Sequence, residues 1–504
     1  MSLLKFQMKP KFLDTTLRDG EQTPGIVLKP EDKVEIAKAI DEVGVDFMEI
    51  GSAIASEGER EAIKKICDEK NNGNLNARLL SFARIKKEDI TYALNCGVDG
   101  VFLVAPTSDI HIMSKLNTTR EKVTDSITEC VEFCKNNGLI VDLCCEDGTR
   151  TGIDFLKEIL NLAVELKVER LTVADTIGIA TQEKISEIFG ALNPIAKSKI
   201  LLGVHCHDDF GLATANTVTA IKNGADVADV TVNGLGERAG NAPLEEVATA
   251  LKFLYNYDIN IDFKKILGLS KHIEKITGIG IARNKAIVGE NAFTHGAGIH
   301  VDGILKNPAT YEAINPEIFN AERKFVLGKL MGKKTLENVL NEMNIKANGE
   351  QFTEIFKKLQ FIADKGTRLT NFDVRQVANT MLNLSEKREI ILKGITAFSG
   401  YVTQPMASVT LLVNGEEKRA ISIGNGPVDA AINAIQNICK DIPFEFLDYH
   451  VDAISGGSSA GVQVEIKLRS KGKTISARGV GTDIVLASVE AFLNGLNLIL
   501  ESKI

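Results

Sequence analysis

Short β-branched stretches alternate regularly with amphipathic helical stretches through the first half of the chain. This pattern is typical of βα units built around a parallel sheet. Three of the predicted strands follow a glycine at which a helix is expected to end, namely Gly44, Gly97 and Gly224. Eight such repeats over roughly 250 residues favour an α/β fold of the (β/α)₈ or TIM-barrel type. The predicted strands are residues 12–14, 47–51, 77–82, 100–104, 139–145, 170–174, 201–205 and 226–232.

The length of 504 residues predicts more than the barrel. We expect a catalytic barrel over residues 1–258, a helical linker subdomain over 259–387 and a C-terminal α+β regulatory domain over 388–504. The last region contains two similar stretches, each with two alternating strands, a glycine turn and a helix. Because the turns at 424–427 and 479–482 match each other, we expect an internal ββα duplication. Neither turn completes the GxGxxG pattern of dinucleotide binding.

Composition excludes several classes of protein. Hydrophobic residues make up 44% and charged residues 25% of the chain, as in a globular protein with a large core. The net charge is −8, and no basic run interleaved with aromatic residues is present, so we expect neither nucleic acid nor a membrane as a partner. The eight cysteines include no CxxC pair, which favours buried thiols in a reducing, cytoplasmic compartment.

Polar residues stand at the carboxyl ends of the predicted strands, which is where barrel enzymes carry their chemistry. If the barrel forms, these carboxylates, imidazoles and amides converge on one mouth. The residues, in strand order, are Arg18, Asp19, Glu49, Glu146, Thr176, His205, His207 and Asn241.

His205 and His207 are the strongest local signal for a metal site. They lie two apart on a predicted strand, so both rings point to the same side and could bind one cation together with Asp19. The chain has only 7 histidines, which makes this pairing notable. The alternative is a pair of hydrogen-bonded core histidines. Mixed nitrogen and oxygen ligands suit Zn, Mn, Co or Mg, and the spacing does not choose among them.

Arg18 and Glu146 each have a catalytic and a structural interpretation. Arg18 could present its guanidinium to a substrate carboxylate or a developing enolate, or form an ion pair with Glu49. Glu146 closes an apolar strand, where burial would raise its pKa and suit proton transfer. The alternative for Glu146 is a structural hydrogen bond to Arg150.

Several phrases resemble a known family, the Claisen-condensing acyltransferases that include 2-isopropylmalate, citramalate and homocitrate synthases. The resemblance covers nearly the whole chain. Its most specific phrases are LDTTLRDGEQTPG at 13–25, PTSDIH at 106–111, EDGTR from 146, VHCHDDFG at 204–211, VNGLGERAGNAPLEEV at 232–247 and GIHVDG at 298–303.

The resemblance implies roles for individual residues. The metal ligands would be Asp19, His205, His207 and Asn241, and the 2-oxo acid would lie among Arg18, Glu49, Glu146 and Thr176. His300 and Tyr311 would reach the site from the linker subdomain, from the other subunit of a dimer. Phe102 and Cys144 would lie near the side chain of the 2-oxo acid. The base that takes a proton from acetyl-CoA, the co-substrate, is left open between His300 and Glu146.

The preferred expectation is a 2-isopropylmalate synthase that uses 2-oxoisovalerate and is inhibited by leucine. The main alternative is an (R)-citramalate synthase that uses pyruvate, because bulky Phe102 would narrow the pocket and residues 51–53 read Gly-Ser-Ala. Homocitrate synthase and a lyase of the 3-hydroxy-3-methylglutaryl-CoA type rank lower. A non-catalytic ligand sensor is the last alternative. The presence of all four implied metal ligands counts against it.

Overall fold

The computed structural model describes residues 9–328, 331–364, 369–382, 389–400, 403–453 and 462–501. Its contacts divide the chain into two compact units. The first comprises Met1–Phe293 with Ile314–Arg323, and the second comprises Thr294–Ala313 with Lys324–Ile504.

The first unit is a closed barrel of eight parallel strands in sequence order, which confirms the predicted fold. Each predicted strand overlaps an observed one. Gly44, Gly97 and Gly224 all have positive φ angles, of 95°, 83° and 107°, a conformation that favours glycine and turns the chain from a helix into the next strand. The strands are β1 (Lys11–Asp14), β2 (Phe47–Glu49), β3 (Arg78–Arg84), β4 (Gly100–Pro106), β5 (Ile140–Glu146), β6 (Arg170–Asp175), β7 (Leu201–Cys206) and β8 (Val227–Val230).

Helices cover the outside of the barrel. Ser56, Thr119 and Thr181 precede three of them and accept a hydrogen bond from the first turn, which fixes where these helices begin. The apolar faces of the helices pack on the strands in one large core, and a second cluster fills the lumen. The helices are α1 (Pro30–Val43), α2 (Glu57–Asn71), α3 (Lys87–Cys96), α4 (Arg120–Asn136), α5 (Ile153–Glu165), α6 (Gln182–Ala196), α7 (Ala213–Lys222), α8 (Leu244–Thr249) and α9 (Phe263–Thr277).

The second unit begins with a helical part and ends in two antiparallel sheets. Strands β9 (Thr294–His295) and β10 (Lys324–Phe325) pair in parallel, and the helical part has a core of its own. Its helices are α10 (Gly298–Lys306), α11 (Lys333–Glu342), α12 (Gly349–Asp364) and α13 (Asn371–Leu382). The first sheet is β11 (Ile390–Phe398), β12 (Met406–Val413) and β13 (Glu416–Ile423), followed by α14 (Pro427–Ile438). The second is β14 (Glu445–Ala453), β15 (Val462–Ser470) and β16 (Lys473–Gly481), followed by α15 (Ile484–Glu501).

Each repeat therefore has three strands before its helix, and the expected ββα unit is corrected to βββα. The first strand of each repeat, β11 or β14, lies at a sheet edge. Strand β11 buries only Ile390, so it lacks the apolar alternation of a half-buried strand. Both edge strands carry a bulge near their start, between Leu392 and Gly394 and between Phe446 and Asp448, which supports the duplication.

All eight cysteines are free and buried, as expected. Within the described ranges, no helix combines the length and the apolar character needed to cross a bilayer.

Candidate active site

A cavity of about 260 Å³ opens at the carboxyl ends of the barrel strands. Every strand except β2 contributes to its lining, either from its last residues or from the loop that follows. The lining residues are Arg18, Asp19, Gln22, Phe82, Phe102, Val104, Cys144, Glu146, Ala174, Thr176, His205, His207, Glu237 and Arg238.

Asp19, His205 and His207 form a compact group of potential metal ligands. One ligand atom from each lies within 4.8 Å of the others, and all three residues are buried. Nε2 of His205 lies 3.4 Å from Oδ2 of Asp19, and Nε2 of His207 lies 3.7 Å from the same atom. Each imidazole therefore directs its Nε2 atom toward the Asp19 carboxylate.

Asn241 lies against this group. Its backbone forms an isolated antiparallel bridge with His207, and its Nδ2 donates to the Leu235 carbonyl at 3.3 Å. Its Oδ1 is buried and accepts no hydrogen bond within the described part of the chain. An oxygen ligand is thus available beside a carboxylate and two imidazoles, and this donor set fits a divalent cation. The residues present are those needed to hold one.

The charges of the group favour cation binding. Although burial opposes it, Arg18 and then His205 hold the pKa of Asp19 well below its usual range. Burial and the charge of His205 lower the pKa of His207 to about 4. Burial also lowers the pKa of His205, but the nearby carboxylates of Asp19 and Asp229 outweigh it and raise that pKa to about 9. Metal binding at such a group requires the coordinating imidazole nitrogens to be deprotonated, so a cation competes with protons for them.

Arg18 is held rigidly at the edge of the cavity. Its Nη1 lies 2.8 Å from Oδ2 of Asp19, and its Nε lies 2.8 Å from Oε2 of Glu49, which is fully buried. The guanidinium carbon lies 5.4 Å from the Phe82 ring centre and 5.9 Å from that of Phe102. The ion pair with Glu49 therefore coexists with a guanidinium that lines the cavity.

Glu146 differs from its expected environment. Its side chain is 18% exposed rather than enclosed by apolar groups, because it ends β5 at the rim of the cavity. Lys115 approaches its two oxygens at 2.6 and 2.9 Å, and Nδ1 of His111 lies 3.5 Å away. Arg150, the expected alternative partner, instead pairs with Asp147. A π-helix, His111–Lys115, brings both new partners to Glu146.

Thr176, Phe102 and Cys144 also line the cavity. The Thr176 hydroxyl accepts the Asp147 amide proton at 2.8 Å. Phe102 and Cys144 belong to the apolar cluster in the lumen, and burial raises the pKa of the Cys144 thiol well above its usual value. These two side chains form an apolar, uncharged part of the cavity lining, which we call the floor of the cavity.

His300 and Tyr311 belong to the second unit. Their rings stack with centres 4.2 Å apart, and both residues are exposed. Their expected approach to the metal site stays a prediction.

Sequence reasoning assigned no role to several residues at or beside the cavity. His111, Glu237 and Arg238 lie within phrases that carry the family resemblance, so those phrases were an available signal. Lys115 and Asp229 lie outside all such phrases. Their significance depends on contacts with Glu146 and His205, which no local pattern reveals.

Three family models match successive parts of the chain. The HMGL-like family model matches residues 9–273, the homocitrate synthase post-HMGL domain-like model matches 287–367, and the LeuA allosteric (dimerisation) domain model matches 368–500. The chain therefore belongs to the HMGL-like family, and it is a condensing enzyme of the acyltransferase type.

Full-length relatives narrow the class to the alpha-isopropylmalate synthase family. A protein of Archaeoglobus fulgidus named "Putative (R)-citramalate synthase CimA" is 46% identical over 98% of this chain and 100% of its own length. The protein of Methanocaldococcus jannaschii named (R)-citramalate synthase CimA is 43% identical over 98% of this chain and 100% of its own length. These names agree better with the alternative expectation than with the preferred 2-isopropylmalate synthase.

Proposed function

We propose that this enzyme is an (R)-citramalate synthase, which condenses acetyl-CoA with pyruvate and hydrolyses the resulting thioester. Relatives with that name align over almost the entire chain. The observation that carries the choice of pyruvate is the placement of Phe82 and Phe102 around Arg18. Both rings line the cavity, and in this proposal they limit the acceptor side chain to a methyl group.

Asp19, His205, His207 and Asn241 would hold the divalent ion. When bound, the ion supplies Lewis-acid polarisation of the 2-oxo acid. Arg18 adds a fixed positive charge next to Asp19, where it can stabilise negative charge that develops on the ketone oxygen. Glu49 fixes the orientation of Arg18, since its buried carboxylate contacts Nε. Asp19 contacts Nη1, so Nη2 is the nitrogen that would contact the substrate.

A base must remove a methyl proton from acetyl-CoA. Glu146 is engaged by Lys115 and faces His111, which makes its carboxylate less available as a base. We therefore favour His300, whose imidazole is exposed and stacked on Tyr311. Glu146, with Lys115, would then orient substrate or water at the rim.

The second unit would bind an amino-acid end product in a homodimer, as its match to the LeuA allosteric (dimerisation) domain supports. As the feedback inhibitor of a citramalate-forming enzyme, isoleucine is a better candidate than leucine.

The test is thiol release from acetyl-CoA in the presence of a divalent ion, with pyruvate, 2-oxoisovalerate and 2-oxoglutarate compared at equal concentration. We expect kcat/KM for pyruvate to exceed that for 2-oxoisovalerate by more than about tenfold, the effect of a methylene or two in a tight pocket. Thiol release without a 2-oxo acid gives the background. A preference for 2-oxoisovalerate would identify a 2-isopropylmalate synthase instead.

Phe102→Leu provides a matched variant for this test, because it removes ring atoms from the floor while keeping it apolar. The preference for pyruvate over 2-oxoisovalerate should fall. An unchanged ratio in a folded variant would show that Phe102 does not limit the acceptor.

A further inference from the structure

Asp229 is a buried carboxylate in the interior of the barrel. It lies on β8, and its side chain is fully buried. Neither of its oxygens accepts a hydrogen bond from any residue that the structure describes. A buried ionisable group without such a partner is costly, so its presence calls for a specific reason.

His205 has an atom in the same situation. Its Nδ1 is buried and forms no hydrogen bond with the described residues, and it lies 3.7 Å from Oδ2 of Asp229. The other ring nitrogen, Nε2, faces Asp19 at 3.4 Å. The imidazole thus has one nitrogen toward the proposed cation and the other toward Asp229.

We propose that Asp229 is a positioning residue for the metal site. By accepting a hydrogen bond from Nδ1–H of His205, it fixes the tautomer that leaves the Nε2 lone pair free for the ion, and it fixes the orientation of the ring. A shift of roughly 0.5–1 Å brings the two atoms to hydrogen-bond distance. A carboxylate in this position also makes the imidazole a stronger ligand.

The competing explanation is that Asp229 only balances the charge of Arg170. Arg170 is fully buried, and its guanidinium carbon lies 4.8 Å from the Phe47 ring centre. Burial lowers the pKa of Arg170, and Asp229 acts to raise it. However, Asp142 already forms a direct ion pair with Arg170. In this proposal Asp142 balances the charge of Arg170, and Asp229 orients His205.

This division offers a matched pair of variants, Asp229→Asn and Asp142→Asn. Each removes one buried negative charge near Arg170, but only the first alters the contact with His205. The protein is stripped with a chelator, and Mn²⁺ is titrated by calorimetry. We expect Asp229→Asn to weaken Mn²⁺ binding by about 10–100-fold, as for other groups that orient a ligating histidine. Asp142→Asn should lower thermal stability and leave Mn²⁺ affinity unchanged. Wild-type affinity in Asp229→Asn, or an equal loss in both variants, would overturn the proposal.

The role of Asp229 rests on the proposed metal site. The variant His207→Ala distinguishes a failure of the metal site from a failure of the role of Asp229 alone. If His207→Ala binds Mn²⁺ normally, the metal site is wrong, and the role of Asp229 is overturned with it. If His207→Ala loses the ion while Asp229→Asn keeps it, only the role of Asp229 fails.

Should Asp229→Asn not fold, a crystal structure of the Mn²⁺-loaded wild type decides the question. The expected result is Nε2 of His205 on the ion and Nδ1 within about 3.2 Å of Asp229. A ring bound through Nδ1, or one whose Nδ1 contacts water alone, would contradict the proposal.

Discussion

At the scale of single residues, Asp14 illustrates the consequence of burying a carboxyl group at the end of β1. It is 1% exposed, and among the described residues only Thr16 donates hydrogen bonds to it, from the amide at 2.9 Å and the hydroxyl at 3.0 Å. Burial raises its pKa from 3.8 to about 7, although Thr16 acts in the opposite direction. The folded protein therefore holds this proton more tightly than the unfolded chain does.

We predict a pH-dependent stability difference between the wild type and Asp14→Asn. Because the pKa in the folded state is raised, the contribution of Asp14 to stability is complete below about pH 4 and is lost as the pH rises through about 7. The free energy of unfolding of the wild type relative to the variant should fall by up to about 1.4 kcal/mol per pH unit across this window. Urea unfolding at several pH values measures it, and a constant difference would refute the prediction.

His300 provides a second prediction at this scale. If it is the base, His300→Ala should lower kcat by about 10²–10⁴-fold and leave Mn²⁺ affinity unchanged. His295 is a suitable control, since it lies on β9 of the same unit and faces Glu312 at 3.4 Å. His295→Gln should retain most of the turnover. Normal turnover in His300→Ala would return the assignment to Glu146.

At the scale of secondary-structure elements, a buried lysine joins the loop after β1 to α1 and α2. Nζ of Lys33, whose side chain is 1% exposed, lies 2.6 Å from Glu21 and 2.6 Å from Glu59. Glu59 also accepts the Ser52 amide proton at 3.2 Å. Gly51, with φ of 132°, is required there, since a β-carbon would lie 1.9 Å from the Glu59 carboxylate. The loop that carries Asp19 is thus tied to the loop that follows β2.

Lys33→Met should destabilise the protein by about 3 kcal/mol, because it leaves two poorly solvated carboxylates without a counter-charge. Lys65 is a matched control: it also contacts two glutamates, at 2.6 and 2.7 Å, but its side chain is 39% exposed. Lys65→Met should cost much less, because solvent screens an exposed ion pair. Urea unfolding measures both variants, and similar losses would show that the Lys33 contacts are no stronger than surface ion pairs.

At the scale of the whole molecule, one sheet of the second unit offers a surface for association. Four large apolar residues project from the face of the first sheet that α14 does not cover: Phe398 (55% exposed), Met406 (45%), Ile421 (63%) and Ile423 (50%). Phe398, Met406 and Ile423 stand side by side across the three strands. An apolar patch of this kind marks an interaction site.

We predict that the protein is a dimer and that Ile423→Lys weakens it by placing a charge in this patch. Light scattering coupled to gel filtration should show a shift toward half the wild-type mass. Glu416→Lys changes an exposed residue at the other end of the same strand and should leave the mass unchanged. A fully dimeric Ile423→Lys protein would place the interface elsewhere.

Local sequence patterns were sufficient to predict the barrel and the group around the two histidines. Strand periodicity and the glycines at helix ends are properties of short segments, so residues 12–232 could be divided into eight βα repeats without knowledge of their contacts. In a parallel barrel, all the strands end at one mouth, which brings Asp19, His205 and His207 together once the fold is known.

Contacts between distant segments were decided only by the tertiary structure. The edge strands β11 and β14 have too little buried surface to show a periodic pattern. The partner of Glu146 comes from a π-helix 31 residues earlier in the chain, and no local rule distinguishes Lys115 from Arg150. Asp229 shows the same limit: a carboxylate within a short apolar strand has no evident role until the barrel closes and brings Nδ1 of His205 within 3.7 Å of it. Periodicity determines which face of an element is buried, but the partner of a buried charge depends on how distant elements pack.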